Sequence, residues 1–352
     1  MFIHFTSLAV CTFVILSQCA PHHSCPYLPR SNCPPFNGNF TISAYQLYPE
    51  NADFDFNKCI LYTGNLWNSS VGIYNPYSNA FEVIEFEGIS HNPEFHIGGV
   101  QLNHRTNLLS IVVDAGAAFN TGGQDISGTN YIMQWDPETR SLVYKLNLTT
   151  ITQAQYGGYQ DIEQDPENNV YVVGTYPSSI LKVDPKGKKV ETWYLDDNLN
   201  HTIAGYGGLA AKDWTLITND EASGNLYRFD MREKYGSPVA IKTTPPHVIN
   251  LTDAIQLPRK YHGTVLLVAE RGQGVSVYRD LKSEWRTAEY LGLVEWPETT
   301  RITTAPVQVG DALYFNLEPF GDPGLDGPGT AGNRTDFLYV DISEKVGALL
   351  EK

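Results

Sequence analysis

Short runs of apolar, β-branched and aromatic residues, each ending in Asn or Asp, recur along the chain. They are "VGIYN" to Asn75, "YIMQWD" to Asp136, "ILKVD" to Asp184, "NLYRFD" to Asp230, "VSVYRD" to Asp280 and "DFLYVD" to Asp341. Successive runs end 46 to 61 residues apart. Pro follows the first three at once, in "NPYSNA", "DPETRS" and "DPKGKK". An acid or amide before Pro is type I turn chemistry, because the side chain caps the turn while Pro presets φ at the next position. A further β-rich stretch follows each of the first five runs, as in "AFEVIEF" and "KVETWYL". Another apolar run precedes all six, as in "LLSIVVDA" and "TVLLVAER", with Gly pairs opening several units at Gly98, Gly157 and Gly207. Six units of four short strands, with no helix-length amphipathic segment, predict an all-β fold, a six-bladed β-propeller. The sixth unit stops after its third strand, and "FTISAYQLY" near the N-terminus is expected to supply the missing outer strand and close the ring.

Two of the intervals are long. The excess falls between second and third strands, as "GAAFNTGGQDISGT" in blade two and "PFGDPGLDGPGTAGN" in blade six. Loops after second strands open onto one end of a propeller's channel, so both insertions are predicted to roof the same mouth. At the ends of the second strands the sequence places a column of Gly64, Asp114, Gly174, Asn219, Ala269 and Asn316. The next column holds Thr175, Asp220 and Glu270, and the third Leu66, Tyr176, Glu221, Arg271 and Glu318. Polar groups converging at the ends of apolar strands are what a ligand pocket requires. "HNPEFH" holds His91, Glu94 and His96 at a spacing that matches no zinc helix. Tyr156 and Tyr206 stand beside Gly pairs at equivalent places, as packing or as aromatic walls.

Composition narrows the partners. Lys and Arg total 24 against 39 Asp and Glu, a formal charge of -15, so nucleic acid would be repelled. "SLAVCTFVIL", an apolar run too short to span a bilayer, followed by "SQCAP" reads as a secretory signal over residues 1–20, and no stable membrane insertion is expected after its cleavage. A Pro- and Cys-rich arm over 21–39 then leads into a single propeller domain, 40–352. Of the remaining Cys25, Cys33 and Cys59, one pair can form a disulfide, and a bridge from the arm to Cys59 is expected. Sequons at Asn39, Asn68, Asn147, Asn200, Asn250 and Asn333 agree with glycosylation in the secretory pathway or a secreted product. There is no G-x-S-x-G elbow, P-loop, dinucleotide fingerprint or H-E-x-x-H motif, so serine hydrolase, kinase and nicotinamide chemistry lack their carriers.

The segments "SIVVDAGAAFNTGGQDISG", "GNLWNSSVGIYNP", "GTYPSSILKVD", "AGYGGLAA" and "LYRFDMR" resemble the fungal propeller family typified by the core trichothecene-cluster protein. The similarity runs from about residue 40 to the last strand. Members sit in gene clusters for terpenoid natural products, and the group includes the hetero-Diels–Alderases of tropolonic sesquiterpenoid assembly. The resemblance implies a cofactor-independent cyclase that binds small apolar terpenoid or polyketide substrates, with no metal. Under it, Asp114, Asp220, Glu270 and His96 would act as acids, and Trp67, Phe119, Tyr176, Tyr206 and Phe320 as walls. Gln124, Arg271 and Glu318 would complete the substrate contacts. The family is more distantly similar to lactonase-type propellers, which use one divalent cation such as Ca²⁺. That alternative would draw on oxygens of Asn219, Asp220, Asp253 and Asn316. A third possibility is a non-catalytic carrier, as many propellers are.

Overall fold

A computed structural model describes residues 33–298, 300–325 and 332–352. The expected signal segment, Cys25, most of the arm and part of the blade-six insertion lie outside the described residues. The six expected blades form, each an antiparallel sheet whose first strand is innermost. Those first strands are Pro49–Asp55, Phe95–Asn103, Gly157–Gln164, Tyr206–Lys212, Thr252–Gln256 and Ile302–Val309. Phe40–Ser43 pairs antiparallel with Asp336–Asp341 as the outer strand of blade six, which closes the ring. A disulfide between Cys33 and Cys59 ties the arm to blade one.

The six repeat-ending residues behave alike. Asn75, Asp136, Asp184, Asp230, Asp280 and Asp341 each accept, through Oδ1, the backbone N–H two residues on, at 2.8–3.0 Å. The turn chemistry therefore holds at all six, including the three without Pro. Three features depart from the repeat. The outer strand of blade four is only Val239–Ala240, blade five gains a parallel edge strand at Lys242–Thr244, and the chain ends in a helix, Ser343–Leu350. That helix packs Val346 and Leu349 against blades five and six, so its two turns follow from tertiary burial more than from a long amphipathic pattern. Among the described residues no helix is long and apolar enough to cross a membrane.

Blades interlock near the axis through side chains that reach the neighbouring backbone. Asn316 in blade six accepts Ala305 N–H at 2.7 Å and donates through Nδ2 to the carbonyls of Pro49 and Glu50 in blade one, both at 2.7 Å. Asn219 repeats the arrangement, accepting Gly208 N–H and donating to the Asp253 carbonyl of blade five. Asp53 and Asp161 accept Leu102 and Leu209 N–H from the next blades. Gly64 allows blades one and two to meet, since a Cβ there would sit 1.8 Å from the Gly98 carbonyl oxygen.

Candidate functional site

Each first strand carries a bulge where it faces the second. In blade two Gly98 and Gly99 lie opposite Val112, because Ile97 pairs with Val113 and Val100 with Ile111. The equivalent bulges face Asn219, Ala269 and Asn316 in blades four, five and six. This register corrects the column drawn from sequence. Val112, not Asp114, is the counterpart of Asn219 and Asn316, and Asp114 stands two residues further on with Glu221, Arg271 and Glu318. Strand side chains alternate, so the residue between these two positions turns to the other face of its sheet.

The outer column lines a cavity of about 400 Å³ on the propeller axis. In blade three Tyr159 pairs with Gly174, so Thr175 is the column member there and Tyr176 stands one residue beyond. Leu66, Asp114, Thr175, Glu221 and Arg271 contribute to the cavity together with Tyr176, and with Glu50, Gly98, Gln160, Asp253 and Ile302 from five of the six first strands. Next to Glu50 and Gln160, Asn51 of blade one donates to Asp161 of blade three at 3.3 Å, a buried bond between first strands. Both insertions reach the roof, blade two through Phe119 and Asn120 of the short helix Ala117–Asn120, and blade six through Phe320 and Leu325. Phe119 packs edge-on against Tyr176 at 5.7 Å, and Phe320 against Trp67 at 5.6 Å. One half of the cavity is therefore aromatic and aliphatic.

The rest of the wall is acidic. Burial pushes the Asp114 carboxyl well above the usual range, and its Oδ2 has no hydrogen-bond partner among the described residues. Burial also raises Glu50, reinforced by the carboxylates of Asp253 and Asp161. Asp253 is raised to about 7 by burial, against the pull of Arg271. Burial lowers His96 to about 4, leaving a neutral imidazole at neutral pH. Arg271 is the cation of the wall, and its Nη2 contacts both oxygens of Glu221 at 2.9 and 2.8 Å, with Nε 3.9 Å from Asp253. Its charge is balanced before any ligand arrives.

Of the site residues expected from sequence, Asp114, His96, Trp67, Phe119, Tyr176, Arg271 and Phe320 meet at this cavity. Five do not. Asp220 and Glu270 occupy the intervening column, where Asp220 accepts Ser223 Oγ at 2.5 Å and Glu270 accepts Ser276 Oγ and faces His247. Tyr206 stacks on Tyr194 in a separate groove between blades three and four. Gln124 is exposed on the roof loop. Glu318 is fully buried behind the wall, raised by burial, and neither oxygen has a partner among the described residues. Sequence reasoning missed Glu50 as a wall residue, placed Glu221 in the column without giving it a role, and gave Asp253 only a metal-ligand role. The acids inside the first strands, in "PENADFD" and "LTDAIQ", were the available signal.

The four oxygens of the lactonase alternative do not converge. The amide oxygens of Asn219 and Asn316 are taken by backbone N–H groups, Asp220 faces away, and Asp253 alone reaches the cavity. Among the described residues no three His, Cys, Asp or Glu side chains form a group that would hold a metal ion.

Comparison with known proteins agrees with this architecture. The family model described as Mal s 1 allergenic protein-like matches residues 30–292. Trichothecene biosynthesis protein 14 of Trichoderma arundinaceum is 35% identical over 337 residues, covering 90% of this chain and 92% of that one. Core trichothecene cluster (CTC) protein 14 of Fusarium sporotrichioides is 33% identical, covering 90% and 88%. The crystal structure of the Malassezia sympodialis allergen Mala s 1 superposes with a TM-score of 0.74 at 20% identity, over 87% of this chain and 96% of the other. With the match spanning the first five blades and the trichothecene-cluster relatives aligned over nine-tenths of its length, the chain belongs to the Mal s 1 allergenic protein-like family.

Proposed function

We propose that this protein acts in fungal secondary-metabolite biosynthesis, as an acid-assisted ring-forming enzyme on an uncharged, oxygenated terpenoid. The observation that carries the reading is Asp114, a carboxyl whose burial favours its protonated form, with an unpartnered oxygen at a cavity walled by Trp67, Phe119, Tyr176 and Phe320. Its relatives named for trichothecene biosynthesis support a place in terpenoid assembly. In its most specific form the reaction is a hetero-Diels–Alder addition. Asp114 gives its proton to the hydroxyl of a hydroxymethyl tropolone, the C–O bond breaks and water leaves. The tropolone's own O–H proton passes back to the carboxylate, leaving an o-quinone methide. That diene adds across an alkene of a humulene-type sesquiterpene, forming one C–C and one C–O bond. Holding both partners face to face would supply part of the rate, as much as about 7–11 kcal/mol in the best intramolecular cases. The roof would limit the water that quenches the intermediate.

The test adds purified protein to the tropolone and the alkene and resolves the products on a chiral column. A single stereoisomer formed faster than in buffer supports the reading. The buffer rate and product ratio would remove it, and a ring-opened acid from a lactone substrate would favour hydrolysis instead.

A further inference from the structure

A second concavity, about 320 Å³, lies between blades three and four on the same end of the ring as the axial cavity. Its wall holds Tyr194, Tyr206 and Tyr227, with Asp196, Asp220 and Asn200. Tyr194 and Tyr206 stack at 5.4 Å, and Tyr227 leans on Tyr206 at 5.8 Å. No Lys, Arg or His contributes to the wall. Phenol faces and hydroxyls beside carboxylate acceptors, without a fixed cation, suit a neutral polyol that offers C–H faces and O–H donors. A saccharide has that chemistry.

Asn200 is also the acceptor of a sequon, Asn200-His201-Thr202, and is exposed. Its Oδ1 accepts Thr202 Oγ1 at 2.7 Å. Asn200 lines the groove, so a sugar joined to its Nδ2 starts at the groove. The same connection carries His201, whose Nδ1 meets the Gly123 carbonyl of the blade-two roof. A Cβ at Gly123 would lie 2.0 Å from the His201 carbonyl oxygen and 2.5 Å from the Tyr176 ring, so the two loops fit closely.

We propose that the glycan on Asn200 is seated in this groove, its proximal sugars against the tyrosines and acids, and that it braces the roof of the axial cavity through His201. The inference rests on passage through the secretory pathway and is independent of the cavity's chemistry, so its test does not use activity.

The chain is secreted from a glycosylating host, Asn200 occupancy is read by glycopeptide mass spectrometry, and hydrogen–deuterium exchange is followed over residues 115–130 and 196–205. Both segments should exchange several-fold more slowly in the glycosylated protein than in Asn200→Gln. Asn250→Gln, which removes a sequon outside the groove, should leave them unchanged. Tyr227→Ser with Asn200 still occupied should restore fast exchange. The proposal fails if the secreted protein carries no sugar at Asn200, or carries one while exchanging at the Asn200→Gln rate. The comparison with Asn200→Gln decides even where Tyr227→Ser does not fold.

Discussion

Nδ1 of His96 lies 4.0 Å from Oδ2 of Asp114, directly across the first two strands of blade two, with both side chains buried. That separation is too long for a hydrogen bond. The acid is held by burial, and the imidazole beside it is neutral, so neither group neutralises the other. Asp114→Asn keeps the shape and removes the proton. It should lower ring formation by about 10²–10⁴-fold, the usual worth of a positioned general acid. The melting temperature at pH 7.5 should hold or rise, because a neutral amide replaces a carboxyl whose ionised form is penalised. Turnover and calorimetry on the same preparation check both.

Stability should rise as pH falls from 8 to 5. Asp53, Asp161 and Asp253 are raised to about 7 and Glu163 to about 8, in each case chiefly by burial. Between about pH 4 and these values the folded state keeps protons that the unfolded chain releases, so raising pH through the window favours unfolding. His96 and His104, lowered to about 4 and about 3, act oppositely below about pH 6.5 and flatten the trend without reversing it. Melting temperatures across this range test the sign, and Glu163→Gln should reduce the slope.

Asn316→Ala and Asn219→Ala should each cost about 2–4 kcal/mol, because either change leaves buried backbone groups of two blades unpaired. Denaturant midpoints measure the loss. Ser223→Ala, which removes the partner of Asp220 on an exposed turn, should cost far less.

Phe320→Ala should change selectivity more than folding. The ring is 43% exposed yet closes over Trp67, so its removal should cost about 1 kcal/mol or less while widening the mouth of the cavity. The expected readout is a raised KM or a mixed product ratio with a melting temperature within a few degrees of the parent.

The blades were legible because a turn leaves a local mark. Asp230 and Asp280 cap their hairpins with no Pro beside them, and an acid after an apolar run was enough to find them. The roof was legible as excess length, since Phe119 and Phe320 can only stand where their loops begin. The wall was not, because a bulge is a fact about pairing between strands. Gly98–Gly99 and Thr304–Ala305 make the same bulge from unlike residues, so nothing local sets Asp114 in line with Arg271. For the same reason Asp220 and Glu270, one residue short of the wall, looked as good as Glu221.

Phe40 stacks on Tyr339 at 4.7 Å, and Ser43 bonds Asp336 across a separation of 293 residues. A ribosome delivers these partners at opposite ends of its run. For nearly all of translation the first strand waits with unpaired backbone, and blade six has no outer edge to offer it. A chain cut short before residue 336 would therefore lose more than a tail: its N-terminal strand would be left as an open template for other copies of itself.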